Sequence, residues 1–235
     1  MLILALESSA VAASAALCRG EELLAQTFQN SGFTHSQTLL PMAEALLESC
    51  HVTLEEVDLI AAAVGPGSFT GLRIGVAAAK GLAWAKEIPC APCSTLESMA
   101  WNLVGLEGEL CCAMDARRGQ IYNARFSSNG ESLTRLTPDR AISLDELSQE
   151  MENCQKTQII VGDGALLCYT KLKERGIPVR LAPPNLRQQS AWGVARAALE
   201  LDKAGKIVSS GELAPVYHRL SQAERERLAR QGEAK

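Results

Sequence analysis

The stretch at 61–85, AAAVGPGSFTGLRIGVAAAKGLAWA, decides how the rest of the chain is read. An apolar run stops at Gly65-Pro66-Gly67 and a helical pattern starts at once. The segment therefore predicts a buried strand, a tight turn and a helix from about Thr70 to Lys86. Four glycines, Gly65, Gly67, Gly71 and Gly75, fall within eleven residues. Such turns often hold phosphate, because the free amides of a helix start attract anions. Spacing excludes the familiar forms. A P-loop needs G-x-x-x-x-G-K-[ST], but Thr70 stands five after Gly65 and Leu72 five after Gly67, with no Lys-Ser or Lys-Thr following. In a dinucleotide fingerprint the third glycine would come one residue before Gly71, although Glu87 lies at a suitable distance. Ser68 lacks the second glycine of a nucleophile elbow. It reads instead as the N-cap of the helix.

Working outward, residues 2–28 read as an antiparallel meander, LILAL, ASAALC and ELLAQTF. A helix follows, with Leu39, Met42 or Ala43, Leu46 and Cys50 at helical spacing and Pro41 placed near the first turn. Thr53-x-x-Glu56, Ser94-x-x-Glu97 and Ser143-x-x-Glu146 are helix-start patterns. ELCCAMD and QIYNARF form a strand–turn–strand, and Asn129-Gly130 turns into a third strand. QIIVGDGA repeats the strand–turn–helix, IPVRLA is a strand, Pro183-Pro184 marks a linker, and a last core helix covers about Ala191–Ala204.

The two halves echo each other. ILALE at Glu7 matches CCAMD at Asp115, and AAAVGPGS matches QIIVGDGA, in the same order. The pattern predicts a duplicated α/β unit with a cleft between two subdomains. The divisions are 1–105, completed by the helix at about 190–205, a shorter second copy at 106–189 that has lost elements, and a charged tail at 221–235.

The chain has 235 residues, 47% apolar and 21% charged, with net charge −4. It lacks the basic face that a nucleic-acid binder needs by itself. No 18-residue apolar run predicts a membrane span, and the N-terminus has no basic region of a signal peptide. The eight cysteines sit mostly in apolar patterns and read as reduced core thiols, the pair Cys90 and Cys93 included. His35, His51 and His218 show no metal spacing.

ILALESSAVAASAAL, HSQTLLPMAEALL, VGPGSFTGLRIGVAAAKGLAWA and DARRGQIYNARF together resemble the TsaB (YeaZ) family over residues 2 to about 220, with GDGA and APVYHR in support. The resemblance implies the actin/Hsp70/sugar-kinase fold and a non-catalytic, cytoplasmic partner of the enzyme TsaD. With TsaC and TsaE in the same pathway, TsaD makes N6-threonylcarbamoyladenosine beside the anticodon of ANN-decoding tRNAs. The tRNA is then met indirectly, and no cofactor or metal is implied. TsaD relatives carry a His-x-x-x-His metal pair; here Leu39 follows His35 at that distance. Kinases of this fold place small turns after each strand-end acid. Here ESSAV and DARRG put no glycine two residues after Glu7 or Asp115, which reads as a vestigial nucleotide site. A small-molecule kinase or ATPase and a metallopeptidase-like protein are the alternatives.

Gly71, Gly75, Ala79 and Ala83 recur every four residues and form a stripe almost without side chains. The pattern fits either the protein's own core or a partner's backbone. The resemblance implies the partner: a helix bundle with TsaD, or with another copy of this chain. His35, Leu39, Met42 and Leu46 would contribute from the first helix, and Gly71, Arg73, Ile74, Gly75, Ala78, Ala79 and Leu82 from the second. Arg73 would meet an acidic partner group or solvent. Gly65, Pro66, Gly67 and Ser68 would only shape the turn.

Overall fold

The computed structural model of the chain describes residues 1–219. The charged tail expected at 221–235 lies outside the described residues. Two mixed sheets share one topology. In the first, β1 (Leu2–Glu7), β2 (Ala13–Arg19) and β3 (Glu22–Gln29) form an antiparallel meander. β4 (Leu59–Gly65) and β5 (Cys90–Ser94) join in parallel beyond β1, giving the order β3-β2-β1-β4-β5. In the second, β6 (Glu107–Asp115), β7 (Gln120–Asn129) and β8 (Leu133–Arg135) repeat the meander. β9 (Arg140–Ser143) also pairs with β7, and β10 (Gln158–Val161) and β11 (Val179–Leu181) repeat the parallel pair. The resulting order β8-β7-β6-β10-β11 matches the first sheet strand for strand. This is the duplicated actin/Hsp70/sugar-kinase-like α/β fold.

One expectation is corrected here. The second copy has lost no strand and has gained β9. It is shortened in its outer helices: α4 (Leu144–Glu150) has 7 residues where α1 (His35–Ser49) has 15, and α5 (Ala165–Glu174) has 10 where α2 (Phe69–Trp84) has 16.

The layers follow from side-chain alternation along the central strands. Leu2, Leu4 and Leu6 of β1 pack under α1 and α2, while Ile3 and Ala5 face α6 (Ala191–Lys203). Leu110, Cys112 and Met114 of β6 pack on α3 (Thr95–Trp101), while Cys111 and Ala113 lie under α4 and α5. The helix that follows the first sheet therefore packs on the second, and the helix that follows the second packs on the first. α3 and α6 meet between the sheets. Cys90 and Cys93 belong to cores on opposite faces of the first sheet, so their thiols cannot meet.

Ser68, Ser94 and Ser143 cap α2, α3 and α4 through the amides of Gly71, Glu97 and Glu146. α1 starts earlier than its spacing predicts, so Pro41 lies in the second turn rather than the first. It is exposed there, so the carbonyl that loses its donor to proline can be hydrated.

Candidate functional site

Four of the five glycines of the opening stretch, all but Gly81, face the chain's own atoms. A Cβ on Gly65 would lie 2.2 Å from the Val216 carbonyl oxygen, and one on Gly67 2.5 Å from that of Ser9. One on Gly71 would lie 2.1 Å from the Ser8 carbonyl oxygen, and one on Gly75 2.4 Å from Ser8 Oγ. Hydrogen bonds close the same seam: the Ser68 N–H donates to the Ser9 carbonyl at 2.7 Å, and Ser8 Oγ donates to the Gly71 carbonyl at 2.9 Å. This corrects the partner-facing reading of the stripe. Gly71, Gly75, Ala79 and Ala83 are buried, the glycines against the β1–β2 turn and the alanines in the first core. The missing side chains let two backbone segments of one subunit approach closely.

Glu7 ends β1 and is fully buried. Its Oε1 accepts the Ser9 N–H at 2.5 Å, and its Oε2 has no partner among the described residues. Burial pushes this carboxyl up to about 7, and the charge of Asp163 pushes the same way. Asp115, at the equivalent end of β6, accepts the Arg117 N–H on Oδ1 at 2.7 Å and pairs with the Arg117 guanidinium at 3.2 Å. Both acids thus capture the amide two residues further on. Amides used in this way cannot face a phosphate, and Ser8 is sealed under α2.

Asp163 is not among the site residues read from sequence, yet its charge acts on Glu7 and it feels that of Asp115. Burial raises its carboxyl, and Gln189 Nε2 donates to Oδ1 at 2.7 Å. Its signal was its place in the second Val-Gly-x-Gly turn. Among the described residues no three His, Cys, Asp or Glu are grouped to hold a metal. His35 Nε2 donates instead to the Ala10 carbonyl at 2.7 Å and pins the β1–β2 turn to the start of α1.

A second element invisible to pattern reading is a strap formed by residues 209–219. Lys80 Nζ donates to the Gly211 and Leu213 carbonyls at 3.0 and 3.1 Å, and the Val216 N–H donates to the Val64 carbonyl at 2.8 Å. The Tyr217 ring stacks on Phe69 at 4.3 Å between centroids. Arg73 Nε donates to Tyr217 Oη at 2.9 Å, which ties α2 to the strap. Arg219 donates to the Ala116 carbonyl, which carries the strap across to the β6–β7 turn.

Of the other contact residues read from sequence, Leu39, Leu46 and Ala78 are buried in the first core. Met42, Ile74 and Leu82 are half-buried at its edge. The same two helices expose Leu40, Ala77, Gly81 and Trp84, with Trp84 71% exposed. No helix among the described residues is long and apolar enough to cross a membrane.

A family model described as TsaD, tRNA N6-adenosine threonylcarbamoyltransferase, matches residues 28–173. The chain is 31% identical over 223 residues to the tRNA threonylcarbamoyladenosine biosynthesis protein TsaB of Escherichia coli K12, covering 93% of this chain and 95% of that protein. It is 29% identical over 228 residues to the TsaB protein of Bacillus subtilis, covering 95% and 96%. Among solved structures, YeaZ from Pseudomonas aeruginosa superposes with a TM-score of 0.77 at 27% identity, covering 92% of this chain and 99% of that one. A second Pseudomonas aeruginosa structure, of an uncharacterized protein with similarity to peptidase YeaZ, gives 0.80 at 25% identity, covering 93% and 99%.

Proposed function

The chain belongs to the TsaB family, and from that premise we propose that it is a non-catalytic subunit of tRNA threonylcarbamoyladenosine biosynthesis. It docks on TsaD through the outer faces of α1 and α2 and supports transfer of the threonylcarbamoyl group to the adenosine beside the anticodon. TsaC and TsaE act in the same cytoplasmic pathway. A homodimer through the same two helices is the alternative use of this face.

The observation that carries the non-catalytic reading is the pair of self-capped acids. Glu7 and Asp115 hold the amide two residues further on at 2.5 and 2.7 Å, so neither of these two amides is free to cradle a nucleotide phosphate. The match to the TsaD family model supports shared ancestry, while Leu39 stands where the resemblance asks for the second metal-binding histidine. Docking is supported by the exposed apolar and small residues Leu40, Ala77, Gly81 and Trp84 on α1 and α2.

The test combines three measurements on the purified chain: co-elution with TsaD, ATP and peptide hydrolysis, and restoration of threonylcarbamoyladenosine in tRNA from a strain lacking the gene. Co-elution, no hydrolysis and restored modification are expected. Turnover by the chain alone that disappears on Glu7→Ala or Asp115→Ala overturns the reading.

A further inference from the structure

We infer that the tip of the β6–β7 hairpin, Arg117-Arg118-Gly119, is a phosphate-backbone contact through which this subunit touches RNA directly. The backbone supplies the first observation. Arg117, Arg118 and Gly119 have φ values of 65°, 58° and 71°, between Ala116 and Gln120, which close the turn by hydrogen bonds. Glycine and asparagine fill such left-handed turns with little steric cost, whereas two consecutive arginines are strained there. Arginine is a poor choice for making this turn, so its presence is explained by what the side chains reach.

Within the chain they reach little. Arg118 is exposed and makes no hydrogen bond or ion pair among the described residues. Arg117 pairs with Asp115, yet its side chain remains 81% exposed. A third guanidinium arrives from the far end of the sequence, where Arg219 is bound to the Ala116 carbonyl.

The acids around the tip are already engaged. The Leu144 N–H donates to the Gly119 carbonyl at 3.3 Å, which brings the start of α4 alongside. There Glu146 closes the capping box with Ser143, and Asp145 is paired with Lys171 at 2.7 Å and Arg175 at 3.7 Å. α5 therefore meets the acidic start of α4 with cations. Guanidinium forks match phosphate oxygens, and contacts to the backbone need no base recognition. The net charge of −4 makes this a local, supplementary contact rather than a stand-alone RNA site. The inference rests on the reading above only in taking tRNA as the RNA.

The test is a fluorescence-anisotropy titration of an unmodified ANN-decoding tRNA, with the chain alone and with the chain plus TsaD. Wild type is compared with the double variant Arg117→Asn/Arg118→Gly. The variant installs a pair suited to left-handed backbone, so thermal melting is expected to be unchanged or raised. Affinity for tRNA is expected to fall roughly three- to tenfold, with a salt dependence shallower by about two phosphate contacts. Co-elution with TsaD is expected to stay intact. Unchanged tRNA affinity in the folded variant overturns the inference, as does wild type that binds no tRNA in either form. Loss of TsaD co-elution with tRNA affinity retained makes the tip a protein contact and overturns the inference. If wild type fails to co-elute with TsaD, the docking proposal fails, and the tip is judged on the chain alone.

Discussion

The turns at 64–67 and 161–164 end equivalent strands and launch equivalent helices, but they are sealed by different neighbours. In the second turn, a Cβ on Gly162 would lie 2.1 Å from the Ala113 carbonyl oxygen and one on Gly164 2.9 Å from the Asp115 nitrogen. The neighbour is β6, the central strand of its own sheet. In the first turn, Gly65 meets Val216 of the strap and Gly67 meets Ser9. The acids diverge in the same sense: Glu7 is buried and, among the described residues, bonded only to its own turn, whereas Asp115 is half-buried and shares its charge with Arg117. The first half has been turned inward as a seam, and the second keeps its charges at the surface. A duplicated turn therefore fixes backbone geometry without fixing what the turn faces.

The largest effect expected from this difference is on Gly162. An alanine there meets a carbonyl held in the middle of a sheet, at a φ of 112°. A loss of about 3 kcal/mol or more is expected. Gly65→Ala is also strained, at a φ of 142°, and meets the Val216 carbonyl at 2.2 Å, but the strap can lift where β6 cannot. A loss of about 1–2 kcal/mol is expected, with new protease sensitivity in 209–219. Urea unfolding and limited proteolysis compare the two; equal losses without strap cleavage would show that the strap is as rigid as the sheet.

The acids give a comparison that depends on pH. The carboxyl of Glu7 is raised from 4.5 to about 7 in the folded chain, so the folded state holds its proton longer than the unfolded state does. Stability is therefore fully present below about pH 4.5, falls as pH rises toward 7, and is flat above. Glu7→Gln keeps the acceptor for Ser9 and removes the titration. It should match wild type near pH 4 and exceed it by on the order of 3 kcal/mol at pH 8. Asp115→Asn also keeps its acceptor but loses only a solvent-facing ion pair, and should cost less than about 1 kcal/mol. Denaturation of both variants at pH 4, 6 and 8 checks this, and a Glu7→Gln difference independent of pH contradicts it.

What the sequence made legible was local. Strands, the caps at Ser68, Ser94 and Ser143, and the order of the repeated elements all follow from periodicity and side-chain chemistry within a few residues. What faces what was not legible. A four-residue repeat of small residues says that α2 has a flat side, and cannot say that Ser8, 63 residues before Gly71, fills it. The exchange of α3 and α6 and the strap at 209–219 are likewise contacts between distant segments. The strap's only local sign was an apolar and aromatic PVY ahead of the charged tail.

A smaller effect is expected at Tyr217, where the strap is held by side chains. Tyr217→Ala removes the stack on Phe69 and the bond from Arg73, for a loss of about 1 kcal/mol. Tyr217→Phe keeps the stack and should recover most of it. If melting shows no difference between alanine and wild type, the hydrogen bonds of Val216 and Lys80 hold the strap by themselves.

The smallest effect on folding is expected at Gly81, where the two halves differ in their outer helices. α5 exposes Leu166 and Leu167 in its first turn and Lys173 in its last, whereas α2 exposes Arg73, Ala77, Gly81 and Trp84 along its length. Gly75 cannot accept a side chain, because Ser8 Oγ lies 2.4 Å from its Cβ position; leucine there should unfold the subunit without testing docking. Gly81 is on the same helix, and a Cβ there meets nothing within 4 Å. Leucine at 81 therefore fits the free subunit, and its better helix propensity should leave stability unchanged or raised by up to about 1 kcal/mol. If the outer face of α2 lies close against TsaD, the same leucine overpacks the contact by roughly 1–3 kcal/mol, which is about one to two orders of magnitude in affinity. Lys173→Ala on α5 is the matched control and should bind TsaD as wild type does. Titration calorimetry and melting on both variants separate the cases. A stable Gly81→Leu chain that binds TsaD with unchanged affinity removes α2 from the interface, and docking must then use another surface.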